Sequence, residues 1–103
     1  MPRLKWSRPA LLDVARLHDF LAPKSRDAAK RAVKAIRQGI KALGKHPEIG
    51  RLVEEMPPEF REWVIEFGHG AYVALYHYDK KEIVILAVRH GREAGYRVES
   101  SFT

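Results

Sequence analysis

The spacing of apolar residues changes partway along this chain of 103 residues. Between residues 8 and 43, apolar side chains recur every three or four positions, which is the spacing of helices with one buried face. Between residues 61 and 88 they alternate with polar residues or run together in short segments, as they do in β-strands. This change of period limits the chain to an α+β fold, with helices in the first half and most strands in the second.

Two helices are predicted in the first half, and the short link between them makes an antiparallel helical hairpin. Ser7 caps the first helix, which has Pro9 in its first turn and runs to about Leu21, before Pro23. Ser25 caps the second helix. The apolar face of the first helix is predicted to consist of Leu11, Leu12, Ala15, His18 and Leu21.

The second helix has an apolar stripe and a basic face. Its stripe is predicted to consist of Ala29, Ala32, Val33, Ile36, Ile40 and Leu43. Gly44 is predicted to end it as a C′ glycine, and Pro47 prevents continuation. Residues 24–45 carry eight Lys and Arg against Asp27 alone. This face is either simply solvated or steers the chain toward an acidic protein or a DNA-bound enzyme. It lacks aromatic residues on which bases could stack, which disfavours direct nucleic-acid binding.

Three strands are predicted at residues 61–67, 71–78 and 82–88, after a linker and a short N-terminal strand at residues 3–6. Short links between the three imply an antiparallel meander, and the nearly apolar last strand is expected to be central. The predicted order is β-α-α-β-β-β. We therefore expect an α+β fold in which a two-helix hairpin packs on one face of a small antiparallel sheet.

Composition restricts the compartment and the chemistry. The chain has no cysteine, which removes disulfides and thiolate chemistry and suits a cytoplasmic location. It has no apolar run of the roughly 20 residues that a membrane helix needs. The net charge of +6 favours acidic partners. We predict no metal or cofactor site, because the five histidines lack ligand spacing and the chain contains no P-loop or dinucleotide motif.

An ordered set of motifs in this chain resembles the RelE/ParE toxin superfamily of bacterial type II toxin–antitoxin systems. The features that carry the resemblance are Trp6 in the first strand, the P-x-x-G-R segment at 47–51, Arg61 at a strand start, the Y-x-x-x-Y strand at 72–76 and the H-x-R ending at 90–92. The resemblance covers about residues 3–96. Residues 1–96 are thus expected to form a single toxin domain, followed by a polar tail at 97–103.

The resemblance implies a growth-inhibiting toxin of a plasmid stabilisation system, neutralised by a cognate antitoxin in a hetero-oligomer. In the RelE-like branch the toxin cuts mRNA in the ribosome with basic residues on the sheet. In the ParE-like branch it inhibits DNA gyrase and has no known hydrolytic site. The middle-strand positions that are often basic in RelE-like toxins hold Val64, Glu66 and Val73 here. We therefore favour a gyrase inhibitor that is not an enzyme. A ribosome-dependent mRNA endonuclease is the alternative, and a degenerate toxin that only binds its antitoxin is a third.

The charged end of the last strand is the predicted functional edge. The candidates for catalysis are His90, Arg92 and Tyr96, with His90 as the acid or base. The candidates for contact with the target or antitoxin are Arg89, His90, Arg92, Tyr96, Arg61, Arg31 and Lys34. Arg51 is assigned a structural role. Strand alternation turns Arg89 away from the core and His90 toward it, so an ordinary strand end is a further interpretation.

Overall fold

The computed structural model describes residues 2–93, 95 and 96, and within them the predicted order of elements is confirmed. The elements are β1 (Arg3–Trp6), α1 (Arg8–Leu21), α2 (Arg26–Lys41), a 3₁₀ turn (Ala42–Gly44), β2 (Arg51–Leu52), β3 (Phe60–Phe67), β4 (Gly70–Tyr78) and β5 (Glu82–His90). The two helices pack on one face of the sheet, as predicted. The tail predicted at 97–103 lies outside the described residues.

In the described part of the chain, the sheet has five strands in the order β1-β5-β4-β3-β2 and is mixed rather than purely antiparallel. The predicted meander of β3, β4 and β5 is confirmed, but β1 pairs with β5 in parallel, from Arg3 opposite Glu82 to Trp6 opposite Ile85. A periodic pattern does not give the direction of a pairing between strands so far apart in the chain. The predicted central position of β5 is wrong by one strand, since β4 is the middle strand and β5 lies between β4 and β1.

The second strand in the chain order, β2, lies in the segment predicted as a linker. It has only two residues, Arg51 opposite Glu62 and Leu52 opposite Arg61. Two residues between prolines show no alternation, so the sequence pattern could not indicate a strand there.

Both helix caps are confirmed. The Ser7 hydroxyl accepts a hydrogen bond from the Ala10 amide at 3.2 Å, and the Ser25 hydroxyl accepts one from the Ala28 amide at 3.1 Å. The sequence predicts Gly44 as the C′ glycine that ends α2, but Gly44 does not have the positive φ typical of that position. The chain instead tightens into the 3₁₀ turn after α2, a common way to satisfy the last carbonyls of a helix.

The apolar stripe of α2 lies in the core except for the half-buried Val33, while the predicted face of α1 is wrong except for Leu21, which packs against the core. In α2 the buried residues are Ala29, Ala32, Ile36 and Ile40, followed by Leu43. In α1 the buried residues are Ala10, Asp13 and Leu17. Leu11 and Leu12 are instead 54% and 49% exposed. Among the described residues, neither helix combines the length and apolar character needed to cross a bilayer.

Helix α1 is rotated about its axis relative to the predicted orientation, because it makes polar contacts with β5. Because β1 ends at Trp6, no strand among the described residues pairs with the edge of β5 beyond Ile85. The Ser7 hydroxyl donates to the Leu86 carbonyl at 3.2 Å, and Asp13 Oδ2 accepts from the Val88 amide at 2.9 Å. Asp13 must therefore face the sheet, which turns its neighbours Leu11 and Leu12 outward by about 100° per residue.

Candidate functional site

The face of the sheet opposite the helices is here called the open face. Trp63 donates to the Gly39 carbonyl of α2 at 2.9 Å, so its neighbours Glu62 and Val64 point to the open face. Val73 lies between the core residues Tyr72 and Ala74 and points the same way. The strand register places Val64 beside Val73, and Val73 beside Arg89. The row across the open face therefore contains two valines and a single arginine.

Three side chains on the open face converge on the carboxylate of Glu62. Arg51 Nε lies 3.1 Å from Glu62 Oε1, and Arg89 Nη2 lies 3.9 Å from Glu62 Oε2. The Tyr96 hydroxyl donates to Glu62 Oε2. The Arg89 guanidinium also lies 5.1 Å from the centre of the Tyr96 ring. We call these four residues the Glu62 cluster.

Within the Glu62 cluster, Glu62 and Arg89 are largely withdrawn from water, and this burial affects the acidity of Tyr96. The side chains of Glu62 and Arg89 are only 12% and 15% exposed. Burial, and then the adjacent Glu62 carboxylate, raise the pKa of the Tyr96 phenol well above its ordinary value. Tyr96 is therefore a neutral hydrogen-bond donor at physiological pH and is poorly suited to accept a proton.

The second amino group of Arg89 fixes the turn that follows β5. Arg89 Nη1 donates to the carbonyls of His90 and Glu93, at 3.3 and 3.1 Å. The same guanidinium thus joins the Glu62 carboxylate to the backbone of residues 90–93. This arrangement fixes the backbone of residues 90–93 beside the Glu62 carboxylate.

His90 lies on the opposite side of the sheet from the Glu62 cluster. Its ring packs edge-on against Tyr72, with centroids 5.5 Å apart, and Nδ1 accepts from the Arg92 amide at 3.1 Å. Val88 is 1% exposed, so the alternation predicted for residues 88–90 is found in the structure. His90 and Tyr96, both candidates for catalysis, are therefore not brought together, and Arg92 is joined to His90 through its backbone.

Arg51 and Arg61 both hold the chain before β3 to the sheet. Arg61 Nη1 donates to the carbonyls of Gly50 at 2.7 Å and Glu48 at 3.1 Å. Arg51 reaches β3 through its ion pair with Glu62. The sequence assigns a structural role to Arg51 and leaves Arg61 open between a contact and a structural role, and both arginines make structural bonds in the folded chain.

Sequence reasoning did not single out Glu62 or Asp13, and it named Tyr76 only as part of the Y-x-x-x-Y motif. The fully buried Tyr76 hydroxyl accepts from the Gly50 amide at 3.0 Å and donates to the Pro47 carbonyl at 2.8 Å. The Y-x-x-x-Y motif contained a signal, since a tyrosine in a core strand needs a partner for its hydroxyl. Glu62 gave no such signal, because its partners come from β2, from β5 and from the chain that follows β5.

A second candidate surface is a groove between β1 and α2, here called the basic groove. It has a volume of about 520 Å³ and is lined by Leu4, Trp6, Lys30, Val33, Lys34, Arg37, Gln38 and Lys41. Apolar side chains thus lie beside four cations. Lys34, predicted as a contact residue, is in this groove, whereas Arg31 pairs with Asp27 at 2.9 Å on the exposed surface of α2.

Comparisons with known proteins agree on the RelE/ParE toxin superfamily. Residues 4–95 match the family described as the ParE toxin of the type II toxin–antitoxin system parDE. Toxin RelE3 of Caulobacter vibrioides is 30% identical over 81 residues, which cover 79% of this chain and 85% of that toxin. A chain in the structure of the chromosomal ParDE toxin–antitoxin system from P. aeruginosa aligns with a TM-score of 0.72 and 26% identity, covering 87% of this chain and 96% of that one. With its two-helix hairpin on a five-stranded sheet, this chain belongs to the ParE toxin family of type II toxin–antitoxin systems.

Proposed function

We propose that this toxin inhibits DNA gyrase through protein–protein contacts and that a cognate antitoxin neutralises it. The observation that carries the choice of target is the Glu62 cluster. Cutting RNA by attack of a 2′-hydroxyl needs a proton acceptor, a proton donor and cations that meet the phosphate. On the open face, Arg89 and Arg51 are paired with a carboxylate, and Val64 and Val73 occupy the row beside Arg89. Such a face favours a protein target over a phosphodiester.

The position of His90 supports the same choice. A general acid or base must reach the proton that it transfers, within about 3 Å or through one water. The His90 ring packs on the helix side of the sheet against Tyr72, and the Tyr96 phenol is held by Glu62 on the open face. The two groups that could exchange protons with an RNA substrate are thus separated by the sheet.

The proposed contact surface for gyrase is the rim formed by the end of β5 and the turn after it. Arg92 is exposed there, beside the partly exposed Arg89, His90 and Tyr96. Interfaces commonly use arginine and tyrosine as anchors, because both combine a large contact area with hydrogen bonding. Arg89 and Tyr96 are also fixed in place before binding, which lowers the entropy cost of association.

A ribosome-dependent mRNA endonuclease is the second candidate, favoured by the 30% identity to Toxin RelE3. It would require the Glu62 cluster to open when RNA and ribosome bind, freeing Arg51, Arg89 and Tyr96. Primer extension on a reporter mRNA, with purified ribosomes and toxin, tests it. Cleavage within codons that is lost in the Arg89→Ala variant would favour this candidate over the gyrase inhibitor.

The antitoxin is proposed to bind in the basic groove. The ParDE system from P. aeruginosa is a toxin–antitoxin assembly, which supports an antitoxin partner for this chain. The groove offers apolar residues Leu4, Trp6 and Val33 for apolar side chains, with lysines and Arg37 at its border for carboxylates. An antitoxin segment that combines acidic and apolar residues matches this lining.

Lys34→Glu is expected to weaken antitoxin binding about tenfold, because it places a carboxylate among the remaining cations of the groove. Titration calorimetry with the purified antitoxin at two salt concentrations measures the change. Lys45→Glu is the matched control, since Lys45 is exposed, changes net charge equally and is not among the residues that line the groove. Equal weakening by both variants would show that only net charge matters and would refute the proposed docking site.

A further inference from the structure

The Glu62 cluster contains most of what a phosphate site needs, with a carboxylate in the place of the phosphate. Two guanidiniums and a phenolic hydroxyl surround the oxygens of one side chain: Arg51 and Tyr96 form hydrogen bonds to Glu62, and Arg89 forms an ion pair at 3.9 Å. Arginine and a neutral hydroxyl donor bind carboxylate and phosphate oxygens with the same hydrogen-bonding geometry. Because the pKa of Tyr96 is raised by burial and by Glu62, its phenol keeps its proton and acts as a donor.

The position of Glu62 allows its carboxylate to keep phosphate away from Arg51, Arg89 and Tyr96. Its side chain is 12% exposed, so solvent and salt screen its attraction for Arg89 only weakly. It also lies within the sheet, with Arg51 opposite on β2 and Leu75 opposite on β4, so the backbone cannot carry it away. A phosphate approaching Arg89 would meet a fixed negative charge.

We propose that Glu62 is a specificity-determining residue that prevents the open face from binding nucleic-acid phosphate, and that its neutralisation converts Arg51, Arg89 and Tyr96 into an RNA-binding site. The inference deepens the proposed function by naming the residue that excludes RNA from this face. It rests on the proposed function only in taking the target to be a protein. Oligonucleotide binding can be measured without gyrase, ribosome or antitoxin. The proposed exclusion of RNA by Glu62 and the proposed gyrase target can therefore fail separately.

The direct test is Glu62→Gln, which keeps the shape and a hydrogen-bond acceptor but removes the charge. Binding of a short fluorescent single-stranded RNA is measured by anisotropy over a range of salt concentrations. We expect Glu62→Gln to bind about tenfold more tightly than the unsubstituted toxin and with a steeper dependence on salt, as expected for an added phosphate contact. The added substitution Arg89→Ala should remove the gain.

Glu66→Gln is the matched control for this experiment. Glu66 lies on the same face of β3, is exposed, and makes no ion pair with the described residues. The Glu66→Gln substitution changes the net charge by the same amount as Glu62→Gln, and we expect it to change RNA affinity by about twofold or less. Equal gains for Glu62→Gln and Glu66→Gln would overturn the proposal, as would a folded Glu62→Gln protein with no gain.

A second variant keeps the proposal testable if Glu62→Gln does not fold. Arg51 has a side chain that is 59% exposed, so Arg51→Ala is not expected to unfold the chain. Glu62 already pairs with Arg51, so Arg51→Ala in the otherwise unchanged toxin should leave its weak RNA binding unaltered. Lys34→Ala, which removes the same charge from a side chain of the basic groove that is unpaired among the described residues, should reduce RNA binding. A loss of RNA affinity in Arg51→Ala equal to that in Lys34→Ala would show that Arg51 is available to phosphate and would overturn the proposal.

Discussion

Gly50→Ala is expected to lower the free energy of unfolding by about 3 kcal/mol. A Cβ on residue 50 would lie 2.5 Å from the Tyr76 hydroxyl oxygen and 2.7 Å from the Glu62 carbonyl oxygen. Tyr76 cannot withdraw, because it is fully buried and its hydroxyl bridges Gly50 and Pro47. The Glu62 carbonyl cannot withdraw either, since β3 is paired on both sides at that residue. Relief of the overlap must therefore break the Tyr76 bridge or detach β2.

Urea unfolding followed by circular dichroism measures this cost from the shift in midpoint. Gly44→Ala is the matched control, because a Cβ on Gly44 would meet no atom within 4 Å and Gly44 has no positive φ. We expect that control to change stability by about 0.5 kcal/mol or less. If Gly50→Ala and Gly44→Ala unfolded at the same urea concentration, that result would contradict the close packing of Tyr76 against residue 50.

Asp13→Ala is expected to lower the free energy of unfolding by about 2 kcal/mol. Asp13 is 7% exposed, and its Oδ2 accepts from the Val88 amide at 2.9 Å. Its Oδ1 lies 3.8 Å from Arg16 Nη2. Alanine would leave a strand amide unpaired inside the fold, on the part of the β5 edge that β1 does not reach. We expect Asp13→Ala to lower both the midpoint temperature of thermal unfolding and the midpoint urea concentration.

Asp19→Ala is the control for this second prediction, since it lies on the same helix with a side chain that is 79% exposed. Its stability should be unchanged within about 0.5 kcal/mol. Asp13→Asn retains an oxygen for the Val88 amide and should recover part of the loss. An Asp13→Ala protein as stable as Asp19→Ala would contradict the view that Asp13 sets the rotation of α1.

The elements that depend on local pattern could be predicted from the sequence. The Ser7 and Ser25 caps, the stripe of α2 and the alternation of β3 to β5 each depend on residues a few positions apart. The face of α1 failed because counting apolar residues favoured Leu11 and Leu12. The helix instead buries Asp13, which pairs with a strand 75 residues later. No local pattern shows that an aspartate will meet a strand amide.

The candidate site was predictable in the same limited way. Alternation alone put Arg89 and His90 on opposite faces, which separates two of the candidate side chains. The Glu62 cluster depends on contacts between three separate segments. Arg51 comes from an unpredicted strand, and Tyr96 from a turn that folds back over the sheet. Such convergence depends on the tertiary fold and not on spacing in the sequence.

The proposed target of this toxin is gyrase, reached by protein–protein contact. The most direct measurement incubates the purified toxin with gyrase, ATP and relaxed plasmid, and scores supercoiled and linear DNA. We expect supercoiling to be lost and cleaved DNA to accumulate. Both effects should weaken in Arg92→Ala, which removes an exposed side chain at the rim after β5, and disappear when the antitoxin is added. Unchanged supercoiling at a large excess of toxin, with mRNA cleavage by the same preparation on ribosomes, would contradict this account.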